Sequence, residues 1–134
     1  MYKVFPMTDA SACESLCLRC AIPYRESFPL YAIETERGLV GAVSFYMDGG
    51  NAVIDYVGDV GHALEEDFEP FFVCVRQVLN VMDCCGAHDG YFLHVPDSRL
   101  RLATAVGFRK QPDGRYYMDL RDFFIEPCQH DKKE

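Results

Sequence analysis

Apolar residues change their spacing along the chain, and the changes divide it into elements. Residues 2–7, YKVFPM, are a short apolar-rich run that predicts a first strand. Thr8 or Asp9 can cap the helix predicted for the next stretch, ASACESLCLRCAI, by accepting a bond from a free backbone N–H, and Pro23 ends it. Residues 23–29 carry a proline at each end and predict a turn-like connection. Three runs follow at 30–36, 39–47 and 51–60, separated by Glu36-Arg37-Gly38 and by Asp48-Gly49-Gly50, and they predict an antiparallel meander.

From Pro70 to Cys85 the period becomes helical. Phe71, Val75, Val78, Met82 and Cys85 share one face, and Arg76, Asn80 and Asp83 lie opposite. Proline is tolerated in the first turn, and Gly86 supplies a C-cap. Residues 90–95, GYFLHV, predict a short strand, and 96–106 a short helix stopped at Gly107. Residues 108–110 and 115–120 predict a closing hairpin across Pro112-Asp113-Gly114. The order is β-α-β-β-β-α-β-α-β-β. A helix between two strands after a meander implies an α/β domain with a mixed, mostly antiparallel sheet flanked by helices. Residues 1–125 read as a single domain and 126–134 as a polar tail.

Composition narrows the class. The 134 residues suit one core, and 49% hydrophobic with 25% charged residues is an ordinary globular balance. No apolar run approaches the roughly 20 residues of a membrane helix, so no membrane partner is expected. The N-terminal residues lack a basic stretch followed by an apolar one, so no signal peptide is expected. Seven cysteines then read as free thiols in a reducing, cytoplasmic setting. A net charge of −8 repels phosphate backbones, so no nucleic-acid partner is expected. Cys13, Cys17 and Cys20 form a stripe on the first helix. Three thiols can bind zinc, but no C-x-x-C pair or fourth ligand accompanies them, and buried packing is the favoured reading, with no metal. Cys84 and Cys85 are expected to pack at the end of the long helix.

The element order, ending in AVGFRK…GRYYMDL, resembles the GNAT superfamily of acetyl-CoA-dependent N-acetyltransferases, most clearly over residues 30–121. LYAIETERGLVGAVSFYM resembles the family's second and third strands, NAVIDYV the fourth, PFFVCVRQVLNVMDCCGA the long third helix, and GYFLHV the fifth strand. The resemblance implies transfer of an acetyl group from acetyl-CoA to an amine of a small molecule or peptide. It implies a carboxylate or water chain that takes the amine's proton, and a splay between the fourth and fifth strands where the pantetheine arm adds like a strand. The backbone of Tyr56 and Val57 would receive that arm. Gly58, Gly61, His62 and Ala63 fall on the stretch GDVGHA that resembles the family's pyrophosphate loop, Arg/Gln-x-x-Gly-x-Gly/Ala.

Two positions depart from the family's pattern. Gly58 stands where Arg or Gln is expected, with Glu65, Glu66, Asp67 and Glu69 crowding the start of the long helix, so residues 58–63 read either as a phosphate cradle or, the favoured reading, as a flexible loop before an acid-capped helix. Ala103 stands where the tyrosine acid is expected, Arg99 replaces an alanine and Pro96 an asparagine. Candidate substitutes for the missing chemistry are Asp55, Tyr56 and His94. If Val53 and Val57 face the core, period 2 puts Asp55 on their side, where it reads either as a base or as an edge or solvent carboxylate, and puts Tyr56 on the other. His94 is either a proton relay or a hydrogen-bonded structural residue. Tyr116 and Tyr117 are expected to pack across strands. Two functional classes remain open: an acyl-CoA N-acetyltransferase, or a GNAT-shaped binding or oligomerising module without catalysis. Residues 115–125 could serve either internal packing or a homodimer contact.

Overall fold

The computed structural model describes residues 1–121. The chain runs β1 (Tyr2–Met7), α1 (Ala10–Arg19), β2 (Leu30–Thr35), β3 (Gly38–Asp48), β4 (Asn51–Asp59), α2 (Ala63–Glu66), α3 (Phe68–Cys84), β5 (Asp89–Phe92), α4 (Asp97–Val106), β6 (Arg109–Lys110) and β7 (Tyr116–Asp119). The seven strands form one sheet in the order β1-β2-β3-β4-β5-β7-β6. Every pairing is antiparallel except β4 with β5.

The helices divide between the faces. Cys13, Leu16, Cys17 and Cys20 of the α1 region pack on Leu30, Ala32 and Ala42. On the other side, α2, α3 and α4 bury Leu64, Phe71, Val75, Val78, Met82, Leu102 and Val106 with Ile33, Val43, Ile54 and Val57 of the sheet. The stripe predicted from Phe71, Val75, Val78 and Met82 is thus the buried face of α3. The thiols of Cys13 and Cys17 in α1 and of Cys20 at its C-cap lie in the core, and burial pushes Cys17 up to about 11 and Cys20 up to about 12. No helix among the described residues is long and apolar enough to cross a membrane.

Several boundaries differ from expectation. Asp9 caps α1, its Oδ2 accepting the Ala12 N–H at 2.8 Å. The helix ends at Arg19 rather than running to Pro23, because Ala21 turns left-handed at φ 59°. The Ile22 and Ala21 N–H groups then return to the carbonyls of Cys17 and Leu18, satisfying the last turn. The long helix begins at Phe68, and Asp67, extended at φ −147°, separates it from the single turn of α2. Cys84 and Cys85 are exposed, so the expected packing at that end is not found; Cys85 caps α3 instead of extending its apolar face. The predicted polar tail and the C-terminal part of 115–125 lie outside the described residues.

Candidate active site at the β4–β5 fork

The site is built by one extra residue. Ser44 of β3 pairs with Tyr56, and the next residue, Phe45, pairs with Ile54, so Asp55 is a bulge in β4. The bulge shifts the alternation beyond it. Ile54 and Val57 therefore both join the α3-side core, whereas Val53 pairs with Tyr46 on the opposite face. The period-2 placement of Asp55 beside Val53 and Val57 is corrected by this inserted residue. Asp55 and Tyr56, expected on opposite faces, meet the same two neighbours, Arg25 and His94.

The bulge also opens the sheet. The β4–β5 ladder covers only Asn51–Asp89 to Ile54–Phe92, with one further bond from the Leu93 N–H to the Ile54 carbonyl at 2.9 Å. Strand β4 continues to Asp59 without β5 beside it. The predicted strand 90–95 therefore ends early, and His94 lies past its end, turned to the fork.

Asp55 is 1% exposed, and neither carboxylate oxygen accepts a hydrogen bond among the described residues. Its charge is balanced at longer range. The Arg25 Nε lies 3.6 Å from Oδ2, and the His94 Nδ1 lies 3.2 Å from Oδ1. A buried carboxylate needs such partners to remain ionised. The same His94 Nδ1 is 2.9 Å from the Asp55 carbonyl oxygen. A carbonyl only accepts, so Nδ1 carries the proton and Nε2 is left as a bare acceptor in neutral imidazole. The ring is fixed in plane by Tyr56, stacked at 4.0 Å between centroids and 2° between planes. Arg25, from the connection after α1, lies over both Tyr56 and Phe28.

Beyond the bulge the backbone alternates toward and away from β3. Tyr56 faces β3, its N–H donating to the Ser44 Oγ at 3.2 Å, so of the expected Tyr56–Val57 pair only Val57 is turned to the fork. The Val57 carbonyl accepts from the Arg99 Nε at 2.7 Å, and strand geometry puts the Val57 N–H on the same edge. Arg99 also binds the Asp59 Oδ1 at 2.8 Å, while the Asp59 Oδ2 accepts the Leu64 N–H at 2.9 Å.

The GDVGHA stretch forms the loop between β4 and α2. At Gly58 an added Cβ would lie 2.7 Å from Ile22 and 2.8 Å from Cys20, which accounts for a glycine where the resemblance expects Arg or Gln. Gly61 adopts φ +63°, a conformation natural to glycine, and nothing crowds it. His62 is exposed and 3.4 Å from Glu65, and Ala63 is buried. The acidic residues nearby are engaged locally: Glu66 with Arg37 at 2.9 Å and Glu69 with the Tyr2 hydroxyl at 2.9 Å. On the far side of β5, the Tyr117 hydroxyl donates to Asp89 at 2.6 Å and its ring packs against Tyr91, while Tyr116 joins the core.

Sequence reasoning singled out Asp55, Tyr56 and His94, and the fold brings all three together. It missed Arg25, for which an arginine between two prolines was the available signal, and the contact of Arg99 with β4, for which its place in the first turn of α4 was the signal.

Comparison with solved structures agrees on the architecture. A Bacillus subtilis acetyltransferase in complex with CoA superposes with a TM-score of 0.69 at 16% identity, over 90% of this chain and 99% of that one. A GNAT-family acetyltransferase from Staphylococcus aureus gives 0.68 at 12% identity, over 90% and 100%. Mutant forms of the spermidine/spermine N-acetyltransferase of Vibrio cholerae give 0.70 at 10% identity, over 94% and 99%. No protein-family model and no curated protein matches the sequence. At these identities the likeness establishes the fold: the chain has the GNAT acetyltransferase fold.

Proposed function

We propose that this GNAT-fold chain is an N-acetyltransferase that moves an acetyl or other acyl group from a CoA thioester to an amine of a small molecule or peptide. The observation that carries the reading is the His94–Asp55 pair at the fork where β5 leaves β4. A protonated amine is no nucleophile, so the reaction needs a base beside the acceptor. His94 Nε2 is the available lone pair, and it takes the amine's proton. The positive imidazole that results is stabilised by the Asp55 carboxylate beside Nδ1, and Tyr56 holds the ring in its plane through the stack. Asp55 thus acts through His94 rather than on the amine directly.

The chain's groups fit the thioester at one edge. The β4 edge at Val57, which β5 does not reach and whose carbonyl Arg99 holds, suits an extended arm that adds as a strand in place of Arg99. Gly58, Gly61, His62 and Ala63 make the loop that would hold its diphosphate. When bound, the thioester would supply an activated carbonyl carbon and the leaving group: the C–N bond would form as the C–S bond breaks, and the proton taken from the amine would leave with the thiolate as the CoA thiol. This chain's residues position the reactants and move that proton.

A second reading, a non-catalytic binding module, is favoured by Arg99 and Asp59. Their side chains fill the Val57 carbonyl and the Leu64 N–H, two groups facing the cofactor's path. Thermal unfolding with acetyl-CoA separates the two. Binding at 100 times Kd adds about 2.7 kcal/mol of stability, and CoA release with an amine panel reports turnover. Stabilisation with amine-dependent CoA release supports the transferase; no stabilisation at millimolar acetyl-CoA leaves the module.

A further inference from the structure

Arg99 is a charged group at the β4 edge that the proposed proton transfer leaves unused. It sits in the first turn of α4 with its side chain 13% exposed, and its partner Asp59 is 11% exposed. The guanidinium bridges the Val57 carbonyl and the Asp59 carboxylate, and Asp59 reaches on to the Leu64 N–H across the loop. We propose that Arg99 decides which thioesters this chain accepts: it closes the Val57 edge in the free protein and releases it to a thioester carrying a diphosphate-linked nucleotide, but not to a bare pantetheine thioester. The inference rests on the CoA reading above.

Three observations carry it. The Nε–H···O bond at 2.7 Å occupies the carbonyl that an amide of an added arm would use. Arg99 and the arm therefore compete for one acceptor. On leaving the carbonyl, the largely buried guanidinium needs another acceptor for its Nε–H; a diphosphate offers charged oxygens for it and a bare pantetheine does not. Finally, the loop and the turn after it, residues 59–66, contain Asp59, Glu65 and Glu66 but no lysine or arginine. Gly58 is held to a glycine by Ile22 and Cys20, so the expected basic residue has no room there. Arg99, already bonded to Asp59 of this loop, supplies the cation that a diphosphate needs.

Calorimetric titration of the full chain with CoA and with pantetheine tests this, using the wild type, Arg99→Met and Arg99→Lys. Methionine keeps an unbranched aliphatic stem but has neither charge nor donors. In the wild type, CoA is expected to bind at least about 100-fold more tightly than pantetheine. In Arg99→Met the two affinities should move in opposite directions, CoA weakening and pantetheine strengthening, each on the order of tenfold. Arg99→Lys should retain much of the CoA preference, because its charge survives. If the wild type binds CoA and Arg99→Met leaves the ratio unchanged within about twofold, the inference is overturned and the CoA reading stands. If none of the proteins binds either ligand, the CoA reading fails and this inference with it. Should Arg99→Met not fold, the Arg99 Nε–H resonance of the wild type decides: it should shift when CoA is added, and an unchanged resonance overturns the proposal.

Discussion

His94 and Asp55 are joined twice: one imidazole nitrogen, Nδ1, lies 2.9 Å from the Asp55 carbonyl oxygen and 3.2 Å from its carboxylate Oδ1. The first contact fixes the tautomer, and the second places a negative charge where the ring becomes positive. Their partnership comes from opposite accidents of strand geometry, a bulge in β4 and an early end to β5.

The two residues should therefore fail together. His94→Gln and Asp55→Asn are each expected to lower kcat by about 10²–10⁴-fold, the range of a lost general base. The double variant should be little worse than the weaker single one, since groups acting as a unit are not additive. Stabilisation by CoA should survive in all three. Steady-state kinetics and thermal unfolding with CoA check this, and a double variant whose losses multiply would separate the two roles.

Gly58 is expected to reject the family's arginine. Its Cβ direction ends 2.8 Å from the Cys20 Cβ and 3.0 Å from the Cys20 carbonyl oxygen, and backbone cannot be moved cheaply. Gly58→Ala should destabilise the fold by about 1–3 kcal/mol through overpacking, and Gly58→Arg by at least as much without improving CoA binding. Urea unfolding measures the first, and a Gly58→Arg protein of undiminished stability would refute the packing explanation.

The buried thiols predict an alkaline limit. Burial raises Cys17 to about 11 and Cys20 and Cys74 to about 12, against an ordinary value of 9.0. Above pH 9 the unfolded chain loses thiol protons that the folded chain keeps, so unfolding is favoured. The stability from these groups is complete below pH 9 and declines as pH rises toward 11–12. Tm should fall over that window, and less so in Cys74→Ala after allowing for the lost packing. At neutral pH, Cys84 and Cys85 should react with a thiol reagent in the folded protein, whereas Cys13, Cys17, Cys20 and Cys74 should react only on unfolding.

Much of the fold was legible because its signals are local and repeated. The meander follows from alternating runs punctuated by Gly38 and Gly49-Gly50, and α3 from the spacing of Phe71, Val75, Val78 and Met82. The site was legible as a set of residues but not as a geometry. Period-2 counting fails at a bulge, since one inserted residue at Asp55 reverses every later side chain and leaves no mark in composition. Arg99 was visible as a departure from the family's alanine. Its bond to Val57, 42 residues away, depends on where α4 docks, which hydrophobic spacing does not specify.

The most direct test of thioester addition at the β4 edge is the ¹⁵N-amide spectrum of the protein titrated with CoA. The Val57 amide is expected to shift with Asp55 and Arg99 and to gain protection from solvent exchange as the arm adds to the strand. Shifts confined to the opposite side of β5 around Tyr91 and Tyr117, or no shift at Val57 at millimolar CoA, would contradict it.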